Sequence, residues 1–418
     1  MAANQSTSPI AVIGAGIVGL CCARALQLRG FKVAIFDPEP PGSGTSYGNA
    51  GLISVGSVVP EGKPGLWKQV PGMLRDPLGP LTIRWSYLPQ IAPFLLRMLR
   101  ASTPERYEEI AEALAAIVKP AFAEHQRLLE DTGLRDDLLR RNGTLYVYES
   151  EAARRGAAGE IELRRRHGIN VESLGPEEVR QMAPALGPQV AGGTFVPDSG
   201  HTVNPLRLSQ TLEQAIRQAG GEFVSARVRD VETADRRPAA VIAEDGRHPV
   251  SGVVVAAGAY SRELTRKLGR KVPLDTERGY HVMLPNPGVE VRVPMLIGGL
   301  GFAVTPMEQG LRLAGTVEFA GLDAPPDYSR ADVLLRHAER LFPGLKSDGA
   351  ERWMGRRPSL PDSLPVISAS PDLEGVYFAF GHGHLGLSLA AVTGAMIAEM
   401  AAGAAPSIDP TPYRVDRF

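Results

Sequence analysis

Apolar and polar positions at the start of the chain follow the order strand, turn, helix, strand. Residues Ile10–Ile13 are all apolar, which is typical of a buried strand. Apolar residues then recur at helical spacing over Ile17–Leu28, and Gly30 predicts the end of that helix. A mostly apolar run over residues 32–36 predicts a second strand. The chain therefore opens with a predicted βαβ unit that ends at Asp37.

Prolines and alternating apolar residues divide the rest of the chain. Seven prolines between residues 60 and 93 argue against long regular elements there and predict a connecting segment on the surface. Thr103 followed by Pro104 predicts the start of a helix, and Pro120 predicts where that helix is kinked or split. Apolar residues alternate from 273 to 319, which predicts an antiparallel sheet.

The order of these elements predicts an α/β fold, α+β overall, in which a Rossmann-like nucleotide-binding domain is interrupted by an antiparallel-sheet domain. An apolar strand near residue 376 and an apolar helix over residues 387–400 return the chain to the first domain. We expect residues 1–60, 190–262 and 346–418 to form the nucleotide domain. Residues 61–189 and 263–345 would form the substrate domain with its helical insert.

Charge and cysteine usage exclude several classes of protein. The 418 residues carry 45 Lys+Arg against 46 Asp+Glu, and no Lys/Arg-rich run predicts a nucleic-acid partner. Cys21 and Cys22 are neighbours that cannot bridge each other on one helix, which fits a reducing compartment. The histidines and cysteines lack the spacing of a metal site. We expect no metal and a cytoplasmic enzyme, with oligomerisation left open.

Peripheral contact with the inner face of a membrane remains an alternative location. The sequence shows neither a signal peptide nor an apolar run of about 18–20 residues that could span a bilayer. Residues 84–100 nevertheless mix aromatic and aliphatic side chains with arginines. Such a helix can lie on a membrane surface, or it can pack as a lid over an active site.

The turn of the βαβ unit carries the spacing of a dinucleotide-binding loop. In "GAGIVG", Gly14 permits the tight turn, Gly16 lets the backbone approach a pyrophosphate, and Gly19 allows close packing of helix and strand. The phosphates would lie at the positive end of the helix, and the Asp37 carboxylate would accept a hydrogen bond from a ribose hydroxyl. The carboxylate argues against NADP, but the unit alone does not separate NAD from FAD.

Three later segments favour FAD. "TSYGNAGLIS" from Thr45 places small residues and Asn49 where the chain would run beneath a flavin. "VVVAAGAYS" places Ala257 and Gly258 at the end of a strand, where the backbone can close over the adenosine. "GHGHLG" precedes a helix, whose amides and dipole favour negative charge on a bound cofactor.

With these segments in hand, the sequence resembles the D-amino acid oxidase/dehydrogenase superfamily of FAD enzymes, which includes glycine and sarcosine oxidases. The resemblance covers nearly the whole chain and is closest to bacterial D-amino acid dehydrogenase small-subunit-like proteins. It rests on "VIGAGIVGL", "TSYGNAGLIS", "VVVAAGAYS", "GRRPSLPDSLPVI" and "GHGHLGLSLAAVTG". It implies FAD, a two-domain fold and oxidation of the Cα–N bond of an amino acid. The family's Gly-x-Arg-Pro element identifies Arg357 as the group that grips the substrate carboxylate, with Arg356 in the variable slot.

Together, the resemblance and the residues predict three catalytic residues: Arg357, Tyr280 and His384. Tyr280 would hydrogen-bond the carboxylate or cover the flavin, or else face outward from its strand, and His281 and Arg278 share that ambiguity. His382 and His384 would meet substrate or flavin, or only bond the backbone. The predicted cofactor-binding residues are Gly14, Ala15, Gly16, Ile17, Val18, Gly19, Asp37, Thr45, Ser46, Asn49, Ala50, Gly51, Leu52, Val228, Ala257, Gly258, Gly355, Gly381, His382, Gly383, His384, Leu385 and Gly386.

The predicted activity is dehydrogenation of a D-amino acid by hydride transfer from Cα to flavin N5. A cyclic secondary amine of the D-proline or hydroxy-D-proline type is one candidate substrate. We expect FAD to be non-covalent, because both cysteines lie in the first helix and no histidine precedes His125. A quinone or the respiratory chain is favoured over oxygen as electron acceptor. The alternatives are a glycine/sarcosine-type amine oxidase and an FAD-bearing subunit of a heteromeric dehydrogenase.

Overall fold

The computed structural model describes residues 8–68, 70–76 and 78–418, which form several sheets covered by helices. The strands are β1 (Ile10–Ile13), β2 (Val33–Phe36), β3 (Leu52–Ile53), β4 (Leu81–Ile83), β5 (Leu139–Arg140), β6 (Thr144–Tyr148), β7 (Glu172–Leu174), β8 (Gly192–Val196), β9 (Gly200–Thr202), β10 (Glu222–Val224), β11 (Val228–Ala234), β12 (Arg237–Ala243), β13 (Gly246–Pro249), β14 (Gly252–Val255), β15 (Asp275–Leu284), β16 (Met295–Ile297), β17 (Phe302–Met307), β18 (Gly310–Phe319), β19 (Glu351–Ser359), β20 (Val366–Ala369) and β21 (Val376–Phe380). The helices are α1 (Ile17–Leu28), α2 (Val70–Arg75), α3 (Leu88–Ala101), α4 (Pro104–Val118), α5 (Ala121–Leu128), α6 (Arg135–Leu138), α7 (Glu151–Gly156), α8 (Ala158–Arg166), α9 (Pro176–Met182), α10 (Pro205–Gln218), α11 (Ser261–Lys267), α12 (Ser329–Leu341) and α13 (Gly386–Ala401).

A six-stranded sheet with the order β10-β2-β1-β14-β21-β20 carries the opening βαβ unit. Its strands are parallel except for the last pair, β20 and β21, which run antiparallel. β1 lies near the middle, between β2 and β14, and its four residues are buried. The carboxyl ends of β1, β2 and β14 therefore meet at one edge, which is where open parallel sheets bind ligands.

Helices α1 and α13 pack against each other behind this edge. Gly394 of α13 leaves no room for a side chain against the backbone of Cys21 on α1, so the two helices lie close together. Among the described residues, the helical stretch Gly383–Ala401 is the one long and apolar enough to cross a membrane by length and composition. Within the fold, 72% of its apolar window is buried. The apolarity of α13 therefore matches a core helix, which is hydrophobic on all sides.

A second, larger sheet has the order β19-β15-β18-β17-β16-β6-β8-β7, with β4 also paired to β18. The pairs among β15, β16, β17, β18 and β19 are antiparallel, which confirms the sequence prediction for this region. The β6–β16 and β4–β18 pairs are parallel. β8 and β19 belong to this sheet, although the predicted boundaries assign both to the nucleotide domain. The division of the chain at those boundaries stays a prediction.

The proline-rich segment holds one helix of ordinary length, which begins near its end. α3 runs for 14 residues and continues through Pro93, so the prolines do not exclude a helix there. Pro93 removes one backbone hydrogen bond from the helix. In compensation, Ile91 and Phe94 are buried against Ile83 and Phe319. Tertiary packing thus overrides the local penalty of the proline.

Candidate active site

One cavity of about 2000 Å³ runs between the two large sheets, from Asp37 at one end to Arg357 at the other. Pockets for drug-sized ligands are typically about 300–1,000 Å³, so this cavity has room for a large cofactor together with a small substrate. Its walls come from the loop after β1, the segment around Thr45, the end of β14, strands β15, β18 and β19, and the loop before α13. We call the part around Asp37 the dinucleotide end and the part around Arg357 the substrate end.

At the dinucleotide end, backbone shape makes the site. Gly14 has φ +113, a conformation that side chains rarely adopt, and a Cβ there would collide with the backbone of Ala256. A Cβ on Gly19 would collide with the carbonyl of Gly14. The two glycines therefore let α1 start directly behind β1, with its N-terminal amides toward the cavity. This arrangement is the one expected for a pyrophosphate.

Asp37 follows β2 and holds this loop in place. One carboxylate oxygen accepts a hydrogen bond of 2.7 Å from the backbone N–H of Ala15, and the other accepts one of 3.0 Å from that of Glu39. Burial raises the pKa of Asp37, and the two backbone donors oppose that shift. A carboxylate has about four lone-pair sites, so acceptor capacity remains for a ribose hydroxyl.

The segment from Thr45 to Gly51 crosses the middle of the cavity and is tied on both sides. Ser46 Oγ accepts a hydrogen bond of 2.9 Å from the N–H of Ile17, at the start of α1. On the other side, Arg312 of β18 donates through Nη1 to the carbonyls of Tyr47 (2.9 Å) and Asn49 (2.7 Å). Arg312 is 3% exposed, and burial lowers its pKa to about 10. Arg312 therefore positions the segment, although it was not predicted from the sequence.

The loop before α13 contributes a neutral histidine. His382 is buried, and its Nε2 lies 2.9 Å from Oγ1 of Thr393. Burial lowers the pKa of His382 to about 3, so the ring carries no charge near neutral pH. The N-terminal amides of α13 therefore supply the electrostatics here, because a helix N-terminus favours negative charge.

At the substrate end, Arg357 projects from β19 into the cavity. Its Nη1 donates to the carbonyl of Thr316 (2.8 Å) and its Nη2 to the carbonyl of Gly315 (3.2 Å). Thr316 has φ +54 at the irregularity in the pairing of β15 with β18. Burial lowers the pKa of Arg357, although the charges of Glu277 and Glu61 act in the opposite direction. A guanidinium has five N–H donors, so donors remain for a carboxylate ligand.

Two glutamates that the sequence analysis did not single out lie beside Arg357. Glu277 of β15 is 4% exposed and is in register with Arg357 across the strand pair. Glu61 comes from the loop after β3, and its carboxylate contacts Nδ1 of His384. Burial and the charge of Glu61 raise the pKa of Glu277 well above its usual value. Burial alone would raise the pKa of Glu61, but the contact with His384 and the charge of Arg357 bring it below its usual value.

Other polar residues named from the sequence are engaged elsewhere. The hydroxyl of Tyr280 donates to Glu318 (2.6 Å) and accepts from the N–H of Asp327 (2.9 Å), in a buried network that also contains Arg278. His281 lies 3.0 Å from the carbonyl of Gly48 and stacks on Trp353. Tyr280 borders the cavity, but its hydroxyl is already paired with Glu318 and Asp327. Because side chains alternate along a strand, Tyr280 lies on the opposite face of β15 from Glu277.

The structure brings most of the predicted site residues to this one cavity. Gly19, Gly51 and Gly381 are exceptions, because they lie behind its wall and serve close packing or a positive φ. The predicted residues that line the cavity are Gly14, Ala15, Gly16, Ile17, Val18, Asp37, Thr45, Ser46, Asn49, Ala50, Leu52, Val228, Ala257, Gly258, Tyr280, Gly355, Arg357, His382, Gly383, His384, Leu385 and Gly386.

Comparison with known proteins agrees with this geometry. A family model described as "FAD dependent oxidoreductase" matches residues 9–400. A D-amino-acid oxidase of Bradyrhizobium diazoefficiens is 39% identical over 98% of both chains, and a D-amino acid dehydrogenase of Paramagnetospirillum magneticum is 31% identical over 98% of both. The crystal structure of glycine oxidase from Geobacillus kaustophilus superposes with a TM-score of 0.76 and 22% identity, covering 98% of this chain and 99% of that one.

Proposed function

Because the chain belongs to the family of FAD dependent oxidoreductases, we propose that it oxidises a D-amino acid at its Cα–N bond. The names of the two curated relatives support a D-amino acid as substrate. The observation that carries the proposal is the position of Arg357 in the same cavity as the dinucleotide loop. A planar guanidinium with free donors is the group best suited to a carboxylate.

The described residues fit FAD. A positive-φ glycine, the N-terminus of α1 and the carboxylate of Asp37 lie where a dinucleotide needs them, and the cavity continues from there to Arg357. FAD, when bound, supplies the acceptor for the two electrons that leave Cα as a hydride. Both cysteines are buried in α1, which supports a non-covalent cofactor.

Arg357 has two tasks in this proposal. It binds the carboxylate of the substrate, and by a two-point grip it fixes which face of Cα meets the cofactor. A substrate that arrives as an ammonium ion first loses a proton to solvent. The nitrogen lone pair then assists the loss of hydride, and the resulting iminium is hydrolysed or, if it is cyclic, kept as the imine. D-Proline and hydroxy-D-proline remain candidate substrates within this class.

Rapid anaerobic reduction of the flavin tests the proposal. The panel contains D- and L-amino acids, D-proline, glycine, sarcosine, and the decarboxylated amine of the best substrate. Wild type should be reduced fastest by a D-amino acid and should strongly prefer the acid over its amine. Arg357→Ala should lose most of that preference while it retains FAD, and Arg357→Lys should lie between the two. Equal rates of reduction by the acid in wild type and Arg357→Ala would refute the proposed role of Arg357.

We propose further that the electrons leave to a quinone at the cytoplasmic face of a membrane rather than to oxygen. Trp85 is 73% exposed and Trp67 is 60% exposed, and other residues of the same segment, such as Ile83 and Leu95, line the cavity. Leu96 and Leu99 are also exposed on α3, next to the exposed Arg97 and Arg100. Aromatic, aliphatic and basic groups on one segment are the composition of a surface that contacts anionic lipid.

Sedimentation with lipid vesicles tests the proposed surface. Holoenzyme should bind vesicles that contain phosphatidylglycerol more tightly than vesicles of phosphatidylcholine alone. Trp85→Ala should weaken that binding several-fold, whereas Leu28→Ala on α1, a similarly exposed position, should not. Equal binding by wild type and Trp85→Ala, or oxygen consumption faster than reduction of a soluble quinone, would argue against this acceptor.

A further inference from the structure

The two glutamates at the substrate end form a cluster that the proposed role of Arg357 does not explain. We call Glu61 and Glu277 the acid pair. Their side chains come from segments far apart in the chain, the loop after β3 and strand β15, and both line the cavity. The Cβ position of Gly383, in the loop before α13, lies 3.5 Å from Oε1 of Glu61. The acid pair therefore lies between that loop and Arg357.

A structural ion pair with Arg357 would not need this arrangement. Within the described chain, the guanidinium donates to the carbonyls of Thr316 and Gly315 rather than to either carboxyl group. Neither carboxyl group accepts a hydrogen bond from Arg357, and both line the cavity, so acceptor oxygens remain for a ligand. Acceptor oxygens beside a negative charge favour a ligand that has N–H donors and a positive charge.

The charges that face the acid pair are few. Glu277 faces Glu61 and Arg357, and Ser359 is its other polar neighbour. Glu61 faces His384, Arg357 and Glu277. Burial and the charge of Glu61 raise the pKa of Glu277, whereas His384 and Arg357 lower the pKa of Glu61, so Glu61 is the more acidic member of the pair. Two carboxyl groups in contact behave in this way because they cannot both ionise readily.

We propose that the acid pair binds the ammonium group of the substrate, with Glu61 as the main acceptor and Glu277 beside it. This inference rests on the proposed function, in which Arg357 binds the carboxylate. An α-amino acid carries its two charged groups on the same carbon, Cα, and the cavity offers a guanidinium and a carboxylate side by side to receive them. The enzyme would thereby select amino acids over acids that lack the amino group. The oxo acid product, which has lost its nitrogen, would bind more weakly and leave.

Binding of two matched ligands to the holoenzyme tests the inference without turnover. 2-Aminoisobutyrate has a carboxylate and an ammonium group but no hydrogen on Cα, so it cannot lose a hydride. Isobutyrate is the same acid without the nitrogen. Each ligand is titrated into oxidised holoenzyme, and its dissociation constant is read from the change in flavin absorbance. The ratio of the two constants measures what the ammonium group contributes.

Wild type should bind 2-aminoisobutyrate more tightly than isobutyrate. Glu61→Gln should weaken binding of 2-aminoisobutyrate by about 10–150-fold, because a charge-assisted hydrogen bond is lost, and should leave isobutyrate within about threefold. Glu112→Gln, the same substitution at an exposed position of α4 outside the cavity, is the matched control. It should keep both dissociation constants within about threefold of wild type.

Three results would overturn the inference: an unchanged ratio in Glu61→Gln, equal weakening of both ligands, or wild type that binds both ligands equally. If Glu61→Gln does not fold with its cofactor, Glu61→Ala is measured in its place with the same criteria. Failure of the proposed function looks different, because isobutyrate would then bind equally to wild type and Arg357→Ala. Isobutyrate binding that depends on Arg357, with no gain from the amino group, would refute the acid pair alone.

Discussion

The two ends of the cavity are built from different chemistry. At the dinucleotide end, the site consists of glycines, the N-terminal amides of α1 and one carboxylate, that of Asp37. The path of the backbone determines the shape of this end. At the substrate end, Arg357, Glu61, Glu277 and His384 come from four separate segments, and the backbone only presents them. One end is therefore specified by conformation and the other by charge.

This difference predicts how each end responds to substitution. A change that alters backbone conformation at the dinucleotide end should remove the cofactor altogether, because α1 starts directly behind β1 and has little space to adjust. A change of charge at the substrate end should alter binding of ligands and leave the cofactor in place. The first two predictions test the dinucleotide end, the third the buried histidine in the loop before α13, and the last the connection between the two ends.

The largest effect is expected from Gly19→Ala. The added Cβ would collide with the carbonyl of Gly14, which is backbone and cannot move aside without displacing α1 from β1. We expect protein purified without bound FAD, with affinity for FAD lowered by at least about 1,000-fold, which corresponds to about 4 kcal/mol. Flavin absorbance of the purified protein and fluorescence titration with FAD measure this effect.

Gly44→Ala is the control for that substitution. Gly44 also lines the cavity, but a Cβ there meets no atom within 4 Å. The variant should retain FAD at the stoichiometry of wild type. If Gly19→Ala binds FAD as well as Gly44→Ala does, then α1 can shift to make room, and the dinucleotide end is not specified by conformation.

Next in size is the effect of Asp37→Ala. The substitution removes the acceptor for the N–H of Ala15 and the acceptor expected for a ribose hydroxyl. Loss of a charge-assisted hydrogen bond costs on the order of 1.5–3 kcal/mol, so affinity for FAD should fall by about 10–150-fold. Flavin-saturated Asp37→Ala should be reduced by substrate at nearly the rate of wild type.

Glu39→Ala is the control for Asp37→Ala. It also removes one negative charge, but from an exposed side chain two residues further along the chain. Its affinity for FAD should stay within about threefold of wild type, because exposed charges interact weakly across water. An equal loss in both variants would mean that Asp37 acts through long-range charge and not through its hydrogen bonds.

The same contrast explains which parts of the molecule could be predicted from the sequence. The helix bounds of α1 and the order β1, α1, β2 were predicted correctly, because helix period, strand length and the glycine turn are local properties. The split between α4 and α5 at Pro120 was also predicted, since proline acts on its own neighbourhood. Arg357 was found through its local Gly-x-Arg-Pro context.

The acid pair was missed because its contact is not local. Glu61 lies in a segment whose prolines predicted only a connection, and nothing in its neighbours points to Arg357. A signal for Glu277 did exist. Side chains alternate along β15, so Glu277 faces away from Tyr280, and a glutamate within a buried strand needs a partner. Tyr280 lies on the opposite face of β15, where its hydroxyl donates to Glu318, and its predicted catalytic role stays a prediction.

A smaller effect is expected from the pH dependence of stability through His382. Its pKa is about 3 in the folded protein and about 6.5 in an unfolded chain, so below about pH 6.5 the unfolded state binds one more proton. Its contribution to stability is fully present above pH 6.5 and is lost as the pH falls toward 3. Between these limits, this one group contributes a slope of about 1.4 kcal/mol per pH unit.

His382→Gln should remove that slope, because glutamine can still reach Thr393 but does not titrate. Denaturant unfolding of holoenzyme at fixed FAD, measured between pH 6 and pH 4.5, gives the difference from wild type. His248→Gln, at a half-exposed position in β13, serves as the control. A slope that His382→Gln leaves unchanged would show that the neutral ring does not contribute to the acid sensitivity of the protein.

The smallest effect concerns Thr45, whose hydroxyl joins the two ends. Its Oγ1 donates to the carbonyl of Arg356 (3.0 Å) and accepts from the N–H of the same residue (3.3 Å). These bonds tie the segment from Thr45 to Gly51 to β19, next to Arg357. Thr45→Val keeps the shape and removes these bonds. Neutral hydrogen bonds contribute about 0.5–1.5 kcal/mol each, so affinity for FAD should fall by about 2–10-fold. Thr45→Ser, which keeps the hydroxyl, should recover most of it.

Discrimination of the carboxylate should hardly change in Thr45→Val. β19 is also held by β15 over nine paired positions, including Glu277 with Arg357, so the guanidinium keeps its place when one contact to the cofactor segment is lost. The measurement is the preference for a D-amino acid over its decarboxylated amine in anaerobic flavin reduction, with FAD saturating. A preference within about twofold of wild type would mean that the two ends are energetically independent. If the preference falls together with the affinity for FAD, the hydroxyl of Thr45 couples cofactor binding to the position of Arg357. The cavity could then not be divided into one end specified by conformation and another specified by charge.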